Sequence, residues 1–306
     1  MQPSAPASAP PHGGLLLTDW GVIRASGADA RSFLHGQLTQ DVLGLQPGQA
    51  RLAGYCSAKG RLLASFVVWL DTAGDDVMLA CSGDLLAPTL KRLSMFVLRS
   101  KCRLTAAELA VSGLAGPGLP AAEPWAVRPL GEATTIRLPD ARGVARWLLV
   151  GGTPNALPSE TPALDPELWR WLEVHSAVPR ITAATVERFV PQMINLDIVG
   201  GVNFQKGCYP GQEVVARSQY RGTLKRRAFL LEGEQPLAAG QELFERADPG
   251  QPAGLVVLAA APSGRRAAAL AELKIAAAGG ELHAGAPDGP VVRVVDLPYP
   301  LPVETA

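Results

Sequence analysis

Along the first hundred residues the apolar positions change rhythm several times. Residues 15–23 read as one or two short strands, and a short helix opens after Gly27, with Phe33, Leu34 and Leu38 spaced to share one apolar face. Residues 61–70 and 77–80 are strand-like, and the run Asp71-Thr72-Ala73-Gly74-Asp75 between them suits a hairpin connection. Over 84–96, Leu85, Leu86, Leu90, Leu93 and Phe96 recur at the helical period, and 101–114 returns to strand character. Strands, a helix and another strand predict an α+β unit with helices packed on one sheet face.

The second block repeats the theme. Residues 133–138 and 146–150 are candidate strands. Asp165-Pro166-Glu167 marks a helix start: Asp165 can accept from free amides, and Pro166 sits where the helix needs no N–H donor. That helix should run to about His175. The stretch 178–211 is irregular, broken by Pro179, Pro191, Gly200, Gly201 and Gly207. A loop of that length in a compact protein is usually functional or disordered, and the regular recurrence of Phe189, Met193, Leu196, Ile198, Val202 and Phe204 argues against disorder. Beyond Arg227, strand-like pieces at 228–231, 242–244, 253–261, 267–275 and 291–295 alternate with Gly- and Pro-rich turns, which suits a small β-barrel or sandwich of roughly 75 residues.

Composition narrows the function classes. The 306 residues carry 28 Lys+Arg against 28 Asp+Glu, so direct RNA binding by a strongly cationic surface is not expected. Cys56, Cys81, Cys102 and Cys208 form no Cys-x-x-Cys pair, which disfavours a disulfide framework or zinc ribbon and fits a reducing compartment. Residues 1–14 are Ala-, Pro- and Ser-rich without a basic start or apolar run, predicting a disordered tail rather than a signal peptide. The longest apolar stretches fall far below the ~20 residues of a membrane span. The expectation is a cytoplasmic protein, monomeric and without a membrane partner.

Candidate chemistry concentrates at Lys206-Gly207-Cys208-Tyr209-Pro210-Gly211-Gln212-Glu213. Two glycines permit unusual backbone geometry around the thiol, Pro210 stiffens the segment, and Lys206 and Arg217 are cations able to favour a thiolate if they fold towards it. Such a cysteine is compatible with a nucleophile, a redox centre or one ligand of a soft metal site, and equally with a tight turn that happens to contain Cys. Among His12, His35, His175 and His283, His175 at the helix end is the attractive partner for a thiol. Glu173, on the same helix beside Trp169 and Leu172, reads either as a surface or salt-bridged carboxylate or as a buried one facing a heteroaromatic ring with N–H donors. The basic run Arg217, Arg221, Lys225, Arg226 and Arg227 reads as a solvated linker or as a contact for a polyanion, either an oligoglutamate tail or RNA. No Gly-x-Gly-x-x-Gly or Walker motif occurs, and no metal triad is visible.

These residues resemble a family. Phe189-Val190-Pro191-Gln192, Asn195-Leu196, Gly200-Gly201, Phe204, the Lys206–Glu213 run, Val215-Ala216-Arg217 and Tyr220-Arg221-Gly222 closely resemble the YgfZ family of folate-binding proteins, relatives of the T-protein aminomethyltransferase of the glycine cleavage system. Phe33-Leu34-His35-Gly36-Gln37-Leu38-Thr39-Gln40-Asp41 and Ala58-Lys59-Gly60-Arg61 agree. The resemblance implies an α+β, T-protein-like three-domain ring: two interleaved α+β domains over 15–226 and a C-terminal β-barrel over 227–306, around a central cavity. It implies tetrahydrofolate as ligand and a role in assembling or repairing [4Fe–4S] proteins, with iron–sulfur clients or assembly factors as partners, among them an iron–sulfur tRNA-modifying enzyme. Cys208 becomes the reactive residue. Glu173 takes the place of the carboxylate that meets the pterin, although Trp171 stands where the aminomethyltransferases have Arg. Lys206, Gln212, Glu213 and Arg217 complete the expected cofactor-contacting set. The thiol at 208 separates the chain from the aminomethyltransferases, which lack it. Two other readings remain at this stage: a folate-dependent one-carbon transferase or demethylase, and a non-enzymatic protein- or RNA-binding scaffold.

Overall fold

A computed structural model describes residues 10–72, 74–151, 157, 160–220 and 224–302. The chain opens with β1 (Gly13–Leu16), β2 (Trp20–Ser26) and α1 (Ala30–His35). β3 (Ala50–Cys56), β4 (Leu62–Leu70), β5 (Val77–Ser82), α2 (Gly83–Ser94), β6 (Arg103–Ala107) and β7 (Val111–Ala115) follow. Next come β8 (Val127–Leu130), β9 (Ala133–Ala141), β10 (Val144–Gly151) and α3 (Pro166–His175), then a 3-10 turn (Pro191–Ile194) and α4 (Gln212–Tyr220). The last part holds β11 (Arg226–Gly233), β12 (Glu242–Glu245), β13 (Asp248–Ala260), β14 (Ala267–Lys274), β15 (Leu282–Ala284) and β16 (Val291–Val295).

The strands form two antiparallel five-stranded sheets, ordered β3-β4-β5-β2-β6 and β1-β7-β10-β9-β8, and a closed barrel ordered β11-β14-β13-β12-β15-β16. The chain places β1 in the second sheet, leaves to build the whole first sheet, and returns with β7. Alternation of side chains towards two buried faces explains why β4 and β5 read as nearly continuous apolar runs. Tyr55, Phe66, Val68, Leu79 and Cys81 enter a core shared with Phe33, Leu34 and Leu93 of α1 and α2. Their neighbours Leu52, Val67, Trp69, Met78 and Ala80 enter a second core shared with the other sheet, α3 and barrel residues such as Ala228 and Leu255. Both faces of the first sheet are therefore covered.

The α3 start forms as its sequence predicts: Asp165 Oδ1 accepts from the Glu167 amide at 2.7 Å, and Pro166 is the first helical residue. The irregular stretch that follows bonds widely separated elements. The amide of Leu62 donates to Phe189 O at 2.8 Å, and Asn195 exchanges two hydrogen bonds with the Ala228 backbone, at 2.9 and 3.2 Å. Arg227 Nη1 pairs with Asp197 Oδ1 at 2.7 Å, both side chains being only 7% exposed, and also donates to Gln192 O at 3.0 Å. These contacts fix the barrel to the α+β sheets.

Several elements differ from the sequence expectation. Gly13 and Gly14, within the stretch expected as a tail, pair with β7, while residues 1–9 lie outside the described residues. Residues 101–114 divide between the two sheets as β6 and β7. β3 carries Gly54 because side-chain atoms of Leu62, Leu196 and Thr39 stand 2.6–3.2 Å from where its Cβ would be, and this glycine hid the strand. α4 buries only Val215, so it has no apolar stripe to signal a helix.

The buried Arg227–Asp197 pair gives a stability test. Asp197→Ala leaves a buried guanidinium uncompensated and should lower the unfolding free energy by about 3–5 kcal/mol. Glu234→Ala, which breaks the exposed pair with Arg266, should change it by less than about 1 kcal/mol. Denaturant unfolding at neutral pH measures both; equal small effects would contradict the stitching role.

Candidate functional site

A cavity opens between the two sheets and α3, with Trp20, Phe66, Trp125, Arg146, Glu173 and Arg180 among its walls. The cavity volume is about 40 Å³, so it is a narrow slot. No barrel residue lines it among the described residues.

α3 delivers Glu173 to this slot from a helix whose residues from Trp171 to His175 are all buried. Arg180 Nη2 lies 3.4 Å from Glu173 Oε2 and 2.8 Å from Asp19 Oδ2, and its Nη1 donates to Ser82 Oγ at 3.2 Å. The Arg180 guanidinium also covers the Trp20 ring, 4.7 Å from its centroid. Burial pushes the Glu173 carboxyl above its ordinary value, against the pull of Arg180 and Arg146. Full burial pushes Arg146 down to about 10. Burial acts on Arg180 in the same direction, but Glu173 and Asp19 outweigh it and hold that guanidinium above its usual value. One carboxylate, Glu173, and two guanidiniums, Arg146 and Arg180, line the slot, and Asp19 outside it pairs with Arg180. Trp20 Nε1 and Arg180 Nε are buried without a hydrogen-bond partner among the described residues, leaving two donors on residues that line it.

The thiol loop is a separate construction. Thr39 Oγ1 donates to Gly201 O at 2.6 Å, Gln40 Nε2 donates to Gly200 O at 2.6 Å, and the Asn203 amide donates to Thr39 O at 2.9 Å. Lys206 Nζ then reaches back to the carbonyls of His35 and, at 2.7 Å, Leu38. On the far side of Cys208, Gly211 has φ +79°, and a Cβ there would lie 2.4 Å from Ser57 O and 2.7 Å from Gly60 Cα, so glycine is required twice over. The two shorter sequence motifs, around His35-Gly36 and Lys59-Gly60, thus clamp the Cys208 loop from opposite ends. Cys208 is exposed, while Cys56 and Cys81 are buried, with thiols pushed up to about 12 by that burial.

The residues singled out in the sequence divide three ways. Glu173 lines the slot. Lys206 and Cys208 belong to the clamped loop, and Gln212, Glu213 and Arg217 lie on α4, the last two exposed. None of these five lines the slot with Glu173. His175, the expected partner of the thiol, is instead buried on α3: its Nδ1 lies 2.9 Å from Trp171 O and its Nε2 lies 3.5 Å from Glu232 of the barrel. The histidine beside the thiol loop is His35, which spacing alone gave no reason to prefer. Arg221 and Gly222 lie outside the described residues. Among the described residues no group of three or more His, Cys, Asp or Glu side chains is placed to hold a metal ion.

No protein-family model matches the chain. It is 32% identical over 229 residues to the tRNA-modifying protein YgfZ of Vibrio vulnificus, covering 71% of this chain and 69% of that one. It is 33% identical over 234 residues to the protein of the same name from Photobacterium profundum, covering 71% and 69%. An Escherichia coli protein of that name is 32% identical over 237 residues, covering 72% and 71%. Among solved structures, the glycine cleavage system aminomethyltransferase T from Bartonella henselae superimposes with a TM-score of 0.69 at 18% identity, covering 94% of this chain and 86% of that one. That likeness is one of fold.

The raised carboxyl of Glu173 has a measurable consequence. An acid whose folded value lies above its unfolded value of about 4.5 holds its proton longer in the native state, so stability falls as pH rises from there through the folded value. Relative to Glu173→Gln, the wild type should lose stability between pH 4.5 and pH 7; parallel unfolding curves for the two proteins would contradict the burial argument.

Proposed function

The chain belongs to the YgfZ family, and from that premise we propose that it is a folate-binding accessory factor in the assembly or repair of [4Fe–4S] proteins. The observation that carries this reading is the buried carboxylate of Glu173 in the wall of a narrow slot between two sheets. A pterin ring presents adjacent N–H donors, which a carboxylate can accept, and acceptor atoms that suit the free donors of Trp20 and Arg180. Indole walls suit its flat faces. The chemistry of these groups therefore fits tetrahydrofolate, which when bound carries one-carbon units. The narrow slot leaves the anionic glutamate tail outside it, with Arg217, exposed on α4, as one contact.

In this reading the two sheets and the barrel make up the three bodies of a ring, and the slot is its folate-accepting cavity. Cys208 acts at a second centre, presented outward where a client protein or its cluster can reach it. Lys206 anchors the loop by its two carbonyl contacts, and Gln212 and Glu213 begin the helix that backs it. The relatives' name points to tRNA modification; a chain of zero net charge fits support of an iron–sulfur tRNA-modifying enzyme better than direct contact with RNA. The protein would work as a cytoplasmic monomer.

Calorimetric titration of tetrahydrofolate separates the two centres. The wild type should bind, Glu173→Ala should bind at least about tenfold more weakly, and Cys208→Ser should bind like the wild type while failing to restore iron–sulfur enzyme activity in cells that lack the protein. Absence of binding to the wild type would overturn the folate reading, and full restoration by Cys208→Ser would overturn the role of the thiol.

A further inference from the structure

Three titratable side chains converge on the Cys208 loop without any part in the Glu173 slot. Lys206 stands 4.9 Å from the centroid of the Tyr209 ring, its ammonium fixed on the His35 and Leu38 carbonyls. Burial pushes Lys206 down to about 8, while Asp41 and a Cys208 thiolate favour its charged form. His35 Nδ1 lies 3.1 Å from Asp41 Oδ1, an approach off the ring N–H axis, so the carboxylate faces that nitrogen without closing an ideal hydrogen bond. Asp41 accepts from the Gly44 amide at 2.9 Å and has Arg51 Nη1 3.7 Å from its other oxygen. The Gly44 bond, together with His35 and Arg51, holds its carboxyl below the usual range in spite of partial burial.

His35 is held below its ordinary value by burial and by the Lys206 ammonium, against the opposing pull of Asp41. At neutral pH its ring is therefore neutral. With the proton on Nδ1 facing Asp41, the lone pair is on Nε2. That nitrogen faces the thiol loop: the Cβ that Gly207 lacks would lie 3.7 Å from His35 Nε2, the one heavy atom within 4 Å outside residues 206–208. Gly207 is not in the left-handed region, so the backbone does not itself demand glycine. Its missing side chain leaves the Nε2 edge open one residue from an exposed cysteine. The charged groups facing the imidazole are thus Asp41, with Arg51 behind it, and Lys206 of the loop.

We propose that His35 is the proton acceptor for Cys208, with Asp41 positioning the imidazole and Lys206 supporting the thiolate charge. The Sγ proton passes to Nε2, and the sulfur electron pair attacks a small soft electrophile. With iodoacetamide an S–C bond forms, the C–I bond breaks and iodide leaves with its electrons. The proposal shares with the functional reading only the reactivity of Cys208 and does not depend on folate.

The test is alkylation of the full chain by iodoacetamide from pH 5 to pH 9, followed at Cys208 by mass spectrometry. His35→Gln should slow alkylation at pH 7 roughly tenfold and flatten the profile between pH 5 and 7. Arg24→Gln, at the distant pair with Asp71 and Asp76, should match the wild type. Rates for His35→Gln within twofold of wild type at every pH would overturn the proposal. Should that variant not fold, the His35 ring proton titration by NMR decides: its midpoint should move in Cys208→Ser, and superimposable curves overturn the proposal. His35-dependent alkylation in a protein that fails to bind tetrahydrofolate would support this inference while sinking the folate reading.

Discussion

Thr39 is fully buried, and its backbone and hydroxyl are hydrogen-bonded in both senses. Its amide donates to Gly54 O at 2.9 Å, its hydroxyl accepts from the Gly54 amide at 2.7 Å and donates to Gly201 O at 2.6 Å, and its carbonyl accepts from the Asn203 amide at 2.9 Å. One residue thereby joins the end of α1, the strand β3 and a loop 162 residues further on. Each bond contributes about 1 kcal/mol net, but a buried partner left alone costs about 1–3 kcal/mol, so the cluster forms as a whole or not at all. The position of Lys206 and Cys208 follows from it.

This arrangement divides the molecule into two centres with different physics. The slot beside Glu173 is narrow and walled largely by apolar side chains, bounded by strands and by a well-capped helix. The thiol loop is exposed and held by backbone hydrogen bonds and one ammonium. The slot and the exposed thiol can then be altered independently, since no described residue of the thiol loop lines the slot. Among the described residues the barrel does not line the slot; through Arg227 and the Ala228 backbone, with Tyr299 just beyond β16, it braces the irregular stretch from which both Arg180 and the loop emerge.

Much of this was legible before folding. Asp165-Pro166 announced α3, the Leu and Phe periodicity announced α2, and Gly207-Cys208-Tyr209-Pro210-Gly211 announced an unusual backbone. Three things were not. β3 was hidden by Gly54, whose need for close approach comes from Thr39 and Leu196, both distant in sequence. α4 has a single buried residue, so no period could betray it. His35 sat in a motif read only for resemblance; its closeness to Gly207 is created by the Thr39 cluster, which no local spacing encodes. The sequence favours His175 at the helix end because His12 falls in a tail-like stretch and His283 in a polar turn, yet His175 faces the barrel.

The most direct test of this division is hydrogen exchange, followed by mass spectrometry, in Thr39→Val, which keeps the side-chain shape but removes the hydroxyl. Exchange over residues 200–209 should accelerate by at least about tenfold, the loss of roughly 1.4 kcal/mol of local stability, while α3 and the strands walling the slot stay protected as in wild type. Equal acceleration in both regions, or none in the loop, would contradict the account that Thr39 holds the thiol loop as a unit apart from the slot.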